Sequence, residues 1–278
     1  MELQLPEGLV SPGRAFTSMP RKRQRVQTLH NAPCKMVLLE STEQNEPPSS
    51  CSEEQNPKMS RYFQNLKVRL PSEFYNQPCI ELAKSFLGQV LVHKLPDGTE
   101  LRGRIVETES YLGGEDEASH SRGGKRTERN VAMYMKPGTI YVYQIYGIYF
   151  CMNVSSKGDG AAVLLRSLEP LEGLDMMRNY RNGRRHEKAK PLKDSELCNG
   201  PSKLCQALDL NKNYNRRDLS DDQDTWMEAG SKILDQDIVS CARIGIGSAG
   251  EWAKKPLRFY IKGNKYVSVR DKVAEANS

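Results

Sequence analysis

The residues best suited to chemistry lie together in the stretch Arg104-Ile-Val-Glu-Thr-Glu-Ser-Tyr111. Successive side chains of a β-strand point to opposite faces, so Glu107, Glu109 and Tyr111 would share one face if a strand continues this far. Two carboxylates on one face, entering a Gly-rich segment, are not what a core strand requires, and a carboxylate can deprotonate water. The alternative interpretation is a strand end whose acidic side chains are simply solvated.

Further side chains that could act on a nucleotide follow along the chain. His120 lies in a long polar loop, Asn153 and Arg166 come from the next two predicted strands, and Tyr111 and Tyr143 could sandwich a planar ring. This set suits excision of a base, in which the C–N bond opens toward an oxocarbenium-like sugar. A carboxylate then both activates water and offsets positive charge. The competing interpretation of His120 is a hydrogen-bonded loop anchor.

An aromatic segment, 139–154, contains five of the rings of a chain that is only 7% aromatic. β-branched and aromatic residues on both sides of Tyr146-Gly147 predict two strands joined by a tight turn, because glycine accepts the positive φ that such turns need. Tyr146 is therefore predicted at the tip, as a wedge between stacked bases. For the other rings the alternative is packing in the core; these rings are Tyr141, Tyr149 and Phe150.

Length and composition predict one domain and a tail. A chain of 278 residues with 37% hydrophobic content can bury one substantial core. Residues 1–60 are predicted to be a disordered tail with a basic cluster at 21–25. Residues 61–278 are predicted to form a single compact α+β domain. Its expected parts are a mainly antiparallel curved sheet, surrounding helices and the protruding aromatic hairpin.

The pattern of apolar residues and turn formers predicts individual elements within this domain. They are a helix from Pro78 to Gly88, a hairpin of strands 90–95 and 101–107, the aromatic hairpin, a strand at 161–167, a helix from Pro170, a helix opened by 200–203, and strands at 256–262 and 266–270.

Charge and cysteine usage narrow the class of protein. The formal charge of +6 and pI of about 8.8 favour a polyanionic partner such as nucleic acid. No run of 18 apolar residues and no apolar leader occurs, so neither a membrane span nor secretion is expected. The seven cysteines include no Cys-x-x-Cys pair and the four histidines lie far apart, which predicts reduced thiols and no metal.

Several long motifs carry a family resemblance. They occupy residues 104–113, 115–124, 136–143, 146–153, 164–166 and 200–208. In this order they resemble the alkyladenine (3-methyladenine) DNA glycosylase family of vertebrates, over about residues 62 to 274.

The resemblance implies a monofunctional glycosylase of base excision repair that needs no cofactor. Such an enzyme flips 3-methyladenine, 7-methylguanine, hypoxanthine or ethenoadenine out of double-stranded DNA. It then hydrolyses the N-glycosidic bond and leaves an abasic site. A nuclear monomer that hands its product to downstream repair proteins is expected, and targeting to mitochondria stays open.

The resemblance also implies roles for residues at the scissile bond and on the DNA. Glu109 would be the general base, with Arg166 positioning the attacking water. Tyr146 would fill the gap left in the duplex, and Arg129 and Lys203 would contact the DNA backbone.

For the flipped base, the resemblance implies that Tyr111, His120 and Tyr143 hold the ring. Asn153 would exclude guanine by clashing with its exocyclic amine. The sequence departs from the mammalian members at four positions, Gly114, Ser119, Gln144 and Ser248.

Two other functions remain open on the sequence alone. A bifunctional glycosylase would use a lysine Schiff base and nick the strand, but no lysine belongs to the predicted set. A non-catalytic nucleic-acid-binding protein could use the same aromatic hairpin and basic loops. A Glu109→Gln variant separates an enzyme from such a protein.

Overall fold

The computed structural model describes residues 67–183, 185–186 and 189–278. The predicted tail and its basic cluster at 21–25 lie outside the described residues. The strands are β1 (Val90–Lys94), β2 (Glu100–Tyr111), β3 (Ile140–Ile145), β4 (Tyr149–Ser155), β5 (Ala162–Glu172), β6 (Thr225–Glu228), β7 (Ile238–Cys241) and β8 (Arg258–Ile261). The helices are α1 (Ser72–Tyr75), α2 (Cys79–Ser85), α3 (Leu174–Asn182), α4 (Pro201–Ala207) and α5 (Lys272–Ala276).

All of these strands join one antiparallel sheet, which confirms the predicted α+β domain. The main path runs β3-β4-β5-β2-β1-β6, and β8 joins β2 to β7. β2 is central because β5 pairs along one edge, while β1 and then β8 pair along the other. Residues near the end of β2 therefore have a neighbouring strand on both sides.

β2 extends four residues beyond the predicted end at 107, to Tyr111. Thr108 and Ser110 point toward α2, where their hydroxyls donate to the backbone carbonyls of Ala83 (2.9 Å) and Cys79 (3.1 Å). Glu107, Glu109 and Tyr111 consequently share the opposite face, as the alternation predicted. Both glutamates are fully buried, so the solvated strand end is excluded.

The aromatic hairpin is formed by β3 and β4, whose last pair is Ile145 and Tyr149. Tyr146 and Gly147 have φ values of +50° and +71°, as in a type I′ turn, and Ile148 N–H donates to the carbonyl of Ile145 at 3.2 Å. Tyr146 is 88% exposed at the tip, whereas Tyr141 is only 1% exposed. The tip prediction for Tyr146 and the core interpretation of Tyr141 are confirmed, and Phe150 packs partly buried against the core, but Tyr149 is 38% exposed, so its core interpretation is wrong.

The main core lies between the sheet and helices α2, α3 and α4, and includes Leu82, Ile105, Met152, Met177 and Leu204. The helices predicted after Pro78 and Gly200 are present as α2 and α4.

The five cysteines in the described residues are unpaired and buried. Across those residues, no helix is long and apolar enough to cross a membrane, and no group of three metal-binding side chains occurs.

The helix predicted from Pro170 is present as α3, but its predicted start is wrong, because Pro170 and Leu171 extend strand β5. Pro170 pairs with Gly103 on β2, and β4 pairs β5 only at 162–164. A proline has no N–H to donate to a neighbouring strand. It is tolerated here because β4 does not pair with β5 at this position. The helix instead begins after Gly173, whose φ is +79°.

The strand predicted at 266–270 is also wrong, because its polar backbone groups bond to side chains. Ser268 N–H donates to Glu107 Oε2 at 2.7 Å, and the carbonyl of Val269 accepts from Arg258 Nη1 at 2.7 Å. Hydrogen bonds to these buried charged side chains take the place of the backbone hydrogen bonds that a neighbouring strand would supply. β8 pairs instead with β7, a strand of four residues that the sequence pattern did not indicate.

Candidate active site

A cavity of about 350 Å³ opens beside the end of β2, within the usual size range of ligand pockets. Its walls come from β2, β3, β4 and β5, the loop that carries His120, and the loop that carries Ile244. Seven of the predicted site residues line it, namely Glu109, Tyr111, His120, Arg129, Tyr143, Asn153 and Arg166. The sheet therefore brings together residues that the sequence spreads over 58 positions.

Glu109 is fully buried from bulk solvent but faces the cavity. Its Oε1 accepts from Ile244 N–H at 2.8 Å and lies 3.1 Å from Arg166 Nη1. Its Oε2 accepts from the Tyr111 hydroxyl at 3.0 Å. A carboxylate with this many donors is fixed in one orientation, because any rotation would leave buried polar groups unpaired.

Arg166 connects Glu109 to Glu107 across the same face. Its Nε donates to Glu107 Oε1 at 3.1 Å, and the Arg258 guanidinium donates to the same oxygen at 2.9 Å. Two carboxylates and two guanidinium groups thus alternate in sign. We call Glu107, Glu109, Arg166 and Arg258 the charged wall.

Burial disfavours the charged forms of both Glu109 and Arg166, and neighbouring groups of opposite charge act against it. Burial raises the pKa of Glu109, and the Arg166 charge and the Ile244 amide offset part of that effect. Burial also works against the charged form of Arg166, but the two carboxylates outweigh it and raise the pKa of that guanidinium. A carboxylate with a raised pKa is a stronger base than an ordinary one when it is ionised.

Aromatic rings and His120 line another part of the cavity. His120 packs edge-on against Tyr143 with the ring centres 4.6 Å apart, and a 2.8 Å hydrogen bond joins its Nδ1 to the Tyr141 hydroxyl. Partial burial and the nearby charge of Arg129 lower the pKa of His120. The imidazole is therefore neutral at neutral pH, and its position is fixed by the buried Tyr141.

Asn153 is 5% exposed and lies on β4 at the cavity wall. Its Nδ2 donates to the backbone carbonyl of Tyr141 at 3.2 Å. This bond orients the amide across the β3–β4 pair, where Asn153 and Tyr141 are directly opposite. A fixed amide in a tight cavity can discriminate between ring substituents.

Arg129 and the remaining predicted residues lie at or outside the cavity rim. Arg129 lines the rim, with its guanidinium 5.5 Å from the centre of the Tyr143 ring. Tyr146 lies beyond the cavity at the hairpin tip. Lys203, on α4, is exposed and donates to Asn199 Oδ1 at 2.9 Å.

The sequence matches a known family model over the part of the chain that contains this site. The model describes methylpurine-DNA glycosylase and matches residues 73–265. The chain belongs to the methylpurine-DNA glycosylase family. This confirms the predicted family, and membership makes the chain a DNA glycosylase, an enzyme of DNA repair.

Individual relatives agree with the family match. The chain is 60% identical to the DNA-3-methyladenine glycosylase of Homo sapiens over 227 residues, which cover 80% of this chain and 76% of the human protein. It is 56% identical to the proteins of the same name from Rattus norvegicus and Mus musculus. Those alignments cover 87% of this chain, with 77% of the rat and 74% of the mouse protein.

This glycosylase contains a buried ion pair that sequence reasoning missed, Asp116 with Arg243. The Arg243 guanidinium donates to both Asp116 oxygens, at 2.6 and 2.8 Å, and to the Ser110 carbonyl at 2.8 Å. It also lies 4.6 Å from the centre of the Tyr111 ring. Because Ile244 follows directly, this pair places the amide that donates to Glu109.

Arg258 is the second missed member of the site. It lies on β8 among buried apolar neighbours, Leu257, Phe259 and Tyr260, and is itself 3% exposed. An arginine inside an otherwise apolar strand was the available signal, because such a charge is buried only with partners.

A second, wider cleft of about 880 Å³ adjoins the cavity mouth and shares His120 and Arg129 with it. One side carries Arg122 and Lys125, and the other is the loop that contains Ser248 and Trp252. Ser248 is one of the departures from the mammalian pattern. Another, Gln144, donates its side-chain amide to the carbonyl of Gly147 at the hairpin tip.

Proposed function

We propose that this glycosylase removes alkylated and deaminated purines from double-stranded DNA by hydrolysis and leaves an abasic site. The names of the mammalian relatives support 3-methyladenine as a substrate. The proposed range also includes 7-methylguanine, hypoxanthine and ethenoadenine. The observation that carries the proposal is Glu109, a buried carboxylate that faces a cavity and is fixed by several donors.

In the proposed reaction, Glu109 takes a proton from a water molecule that lies between it and C1′ of the flipped nucleotide. The C1′–N bond breaks and its electron pair leaves with the base, while the water oxygen bonds to C1′. The ionised carboxylate offsets positive charge on the sugar during this step. Arg166 is proposed to position the water, since its guanidinium already contacts Glu109.

Tyr111, His120 and Tyr143 are proposed to hold the flipped base. Their support is the cavity that they line together with Glu109, and the packing of the His120 ring against that of Tyr143. Asn153 is proposed to exclude guanine, because its fixed amide would collide with the exocyclic amine. A cationic base such as 3-methyladenine leaves without a further proton, whereas a neutral base must be protonated as it leaves.

Tyr146 is proposed to fill the gap that the flipped nucleotide leaves in the duplex. Its 88% exposed ring at the tip of a hairpin supports this role, since it has no core to occupy. Arg129 and Lys203 are proposed to contact phosphates. The cations Arg122 and Lys125 of the adjoining cleft add to the positive surface.

Release of free base from a duplex that contains one ethenoadenine tests this proposal. The parent protein should release the base and leave an undamaged duplex intact. Glu109→Gln should slow release by roughly 10²- to 10⁴-fold, the usual contribution of a general base. Parent protein that releases no base from any of the four lesions would favour a non-catalytic role, and an undiminished rate for the variant would show that another group is the base.

Borohydride reduction separates the hydrolytic proposal from a lyase. Among the described residues that line the cavity there is no lysine to form a Schiff base. We therefore expect intact abasic strands and no covalent protein–DNA adduct after reduction. A trapped adduct would favour the bifunctional glycosylase.

We further propose that the protein acts in the nucleus as a monomer. The basic cluster at 21–25 supports nuclear import, and the net charge of +6 suits a DNA substrate. Replacement of the arginines and lysine of this cluster by alanine should move a fluorescent fusion from the nucleus to the cytoplasm. An unchanged nuclear signal would contradict the role of the cluster.

A further inference from the structure

Glu107 is the member of the charged wall for which the proposed reaction has no task. It lies on the Glu109 face of β2 but does not line the cavity, and its side chain is 0% exposed. It therefore cannot touch a flipped nucleotide. A buried carboxylate at such a position is costly unless its partners need it there.

The partners of Glu107 come from three separate parts of the chain. Its Oε1 accepts from Arg166 Nε on β5 at 3.1 Å and from Arg258 Nη1 on β8 at 2.9 Å. Its Oε2 accepts from the backbone N–H of Ser268 at 2.7 Å. Both oxygens are thus occupied, and the carboxylate is as firmly fixed as that of Glu109.

These contacts decide which edge of Arg166 faces Glu109. The Nε edge points to Glu107, Nη2 lies 3.4 Å from Ser268 Oγ, and Nη1 is the nitrogen that approaches Glu109, at 3.1 Å. A guanidinium and a carboxylate otherwise prefer a pair of parallel hydrogen bonds. Such a pair with Glu109 would neutralise the base more fully and compete with Tyr111 for its second oxygen.

We propose that Glu107 is a positioning residue that holds Arg166 in single contact with Glu109 and so keeps Glu109 available as a base. This inference rests on the proposed function. Glu107 acts only through Arg166 and Arg258. Its negative charge also makes Arg166 a weaker stabiliser of the ionised Glu109 than a free guanidinium would be.

The other charges around Glu109 in the described part of the chain are the same in every variant at position 107, so the effect of Glu107 can be isolated. They are Arg166 and Arg258 of the charged wall, Arg129 on the cavity lining, and, across the Tyr111 ring, Arg243 with its partner Asp116. His120 also lines the cavity, and burial lowers its pKa, so the imidazole is neutral near neutral pH. The neutral titratable neighbours are Tyr111, Tyr143 on β3, Cys151 on β4 and Cys241 on β7. Burial raises the pKa of each of these four groups, so they stay uncharged near neutral pH.

The test is Glu107→Gln, with Glu228→Gln as the matched control. Glu228 is also a buried carboxylate in the sheet, paired with Arg102, but it lies on β6 away from the cavity. Single-turnover base release from an ethenoadenine duplex is measured across pH for both variants. For Glu107→Gln we expect a rate roughly 10- to 100-fold lower on the plateau, because Glu109 and Arg166 are no longer held in place, and an acid limb shifted to lower pH. Glu228→Gln should keep the acid limb of the parent.

The reason for the shift is that a neutral side chain at 107 frees Arg166 to pair fully with Glu109. The carboxylate then ionises more easily and is a weaker base. Glu107→Asp keeps the charge, so it should keep the acid limb of the parent even if its rate is lower. An acid limb at the parent position in Glu107→Gln, or one displaced equally in Glu107→Asp, would overturn the proposal.

Carboxyl ¹³C NMR of the DNA-free protein provides a measurement that does not depend on activity. With glutamate labelled, the Glu109 signal is assigned as the one missing from Glu109→Gln. Its titration should move to lower pH in Glu107→Gln and remain unchanged in Glu228→Gln. No movement would defeat the role of Glu107, whereas a parent protein without base release would defeat the proposed function alone.

Discussion

The charged wall and the hairpin tip are two regions of one site with opposite construction. In the wall, Glu109 is fully buried and both of its oxygens accept hydrogen bonds, one from Tyr111 on the same strand and one from the distant Ile244 amide. At the tip, Tyr146 is 88% exposed on a backbone with φ of +50°. The wall depends on contacts that span the whole fold, and the tip depends on a turn of four residues.

This difference has a physical origin. Buried charges are tolerated only when partners surround them, so the wall must be rigid before DNA binds. An exposed ring needs no partners in the folded protein, and it contributes binding energy only when it stacks on DNA bases. We therefore expect changes in the wall to affect folding and chemistry, and changes to the exposed ring at the tip to affect base flipping alone.

The largest expected effect concerns the buried pair Asp116–Arg243, both of whose side chains are 0% exposed. Asp116→Asn leaves the guanidinium without its counter-charge and should lower the free energy of unfolding by about 3–5 kcal/mol. Denaturant titration measures this change. The matched control is Glu251→Gln, which breaks the exposed pair with Lys254 and should alter stability little. Equal effects of the two variants would contradict the contrast between buried and exposed charges.

The next effect is expected at the tip, where Tyr146→Ser removes the proposed wedge. Stacking of an aromatic side chain on a base contributes about 1–3 kcal/mol, so the flipped fraction should fall roughly 5- to 150-fold. Ethenoadenine fluorescence in the complex measures this fraction. The unfolding free energy should stay unchanged, because the ring is exposed. Tyr149→Ser, on the same hairpin at 38% exposure, is the control and should flip like the parent.

The pH dependence of base release, compared with that of the flipped fraction, should distinguish the two regions in the unmutated protein. Burial raises the pKa of Glu109 above its ordinary value of 4.5, and only the ionised form can accept a proton. Single-turnover release should therefore fall about tenfold per pH unit below that raised pKa. The flipped fraction should stay level over the same range. An acid limb at or below 4.5 would contradict the proposed environment of the base.

The smallest effect is expected for Gly147→Ala. Gly147 has φ of +71° and nothing lies within 4 Å of an added Cβ, so only backbone strain of about 1 kcal/mol results. The flipped fraction should fall severalfold. The control is Gly98→Ala, at φ of +88° in the β1–β2 turn with equally open space. This control should lose a similar free energy of unfolding and keep the parental flipped fraction. A reduced flipped fraction in the control would contradict a local role for the tip.

Part of this site could be predicted because it depends on local sequence. Alternation along β2 placed Glu107, Glu109 and Tyr111 on one face, and glycine in a run of β-formers placed Tyr146 at a turn. These features follow from strand geometry and turn chemistry alone. The family resemblance supplied the roles of the other cavity residues.

The remainder depends on contacts between distant parts of the chain. Arg258 reaches Glu107 across 151 positions, and Arg243 reaches Asp116 across 127. No periodicity encodes such pairs. The same contacts explain the wrong strand at 266–270, since Ser268 N–H bonds to Glu107 rather than to a neighbouring strand.

The most direct test follows flipping and bond cleavage together in Glu109→Gln. Stopped-flow fluorescence on an ethenoadenine duplex reports the flipped base, and quenched samples from the same mixture report its release. We expect a flipped signal of parental amplitude that persists, because release is slowed at least about 100-fold. Release at the parental rate, or the absence of a flipped signal, would contradict the account.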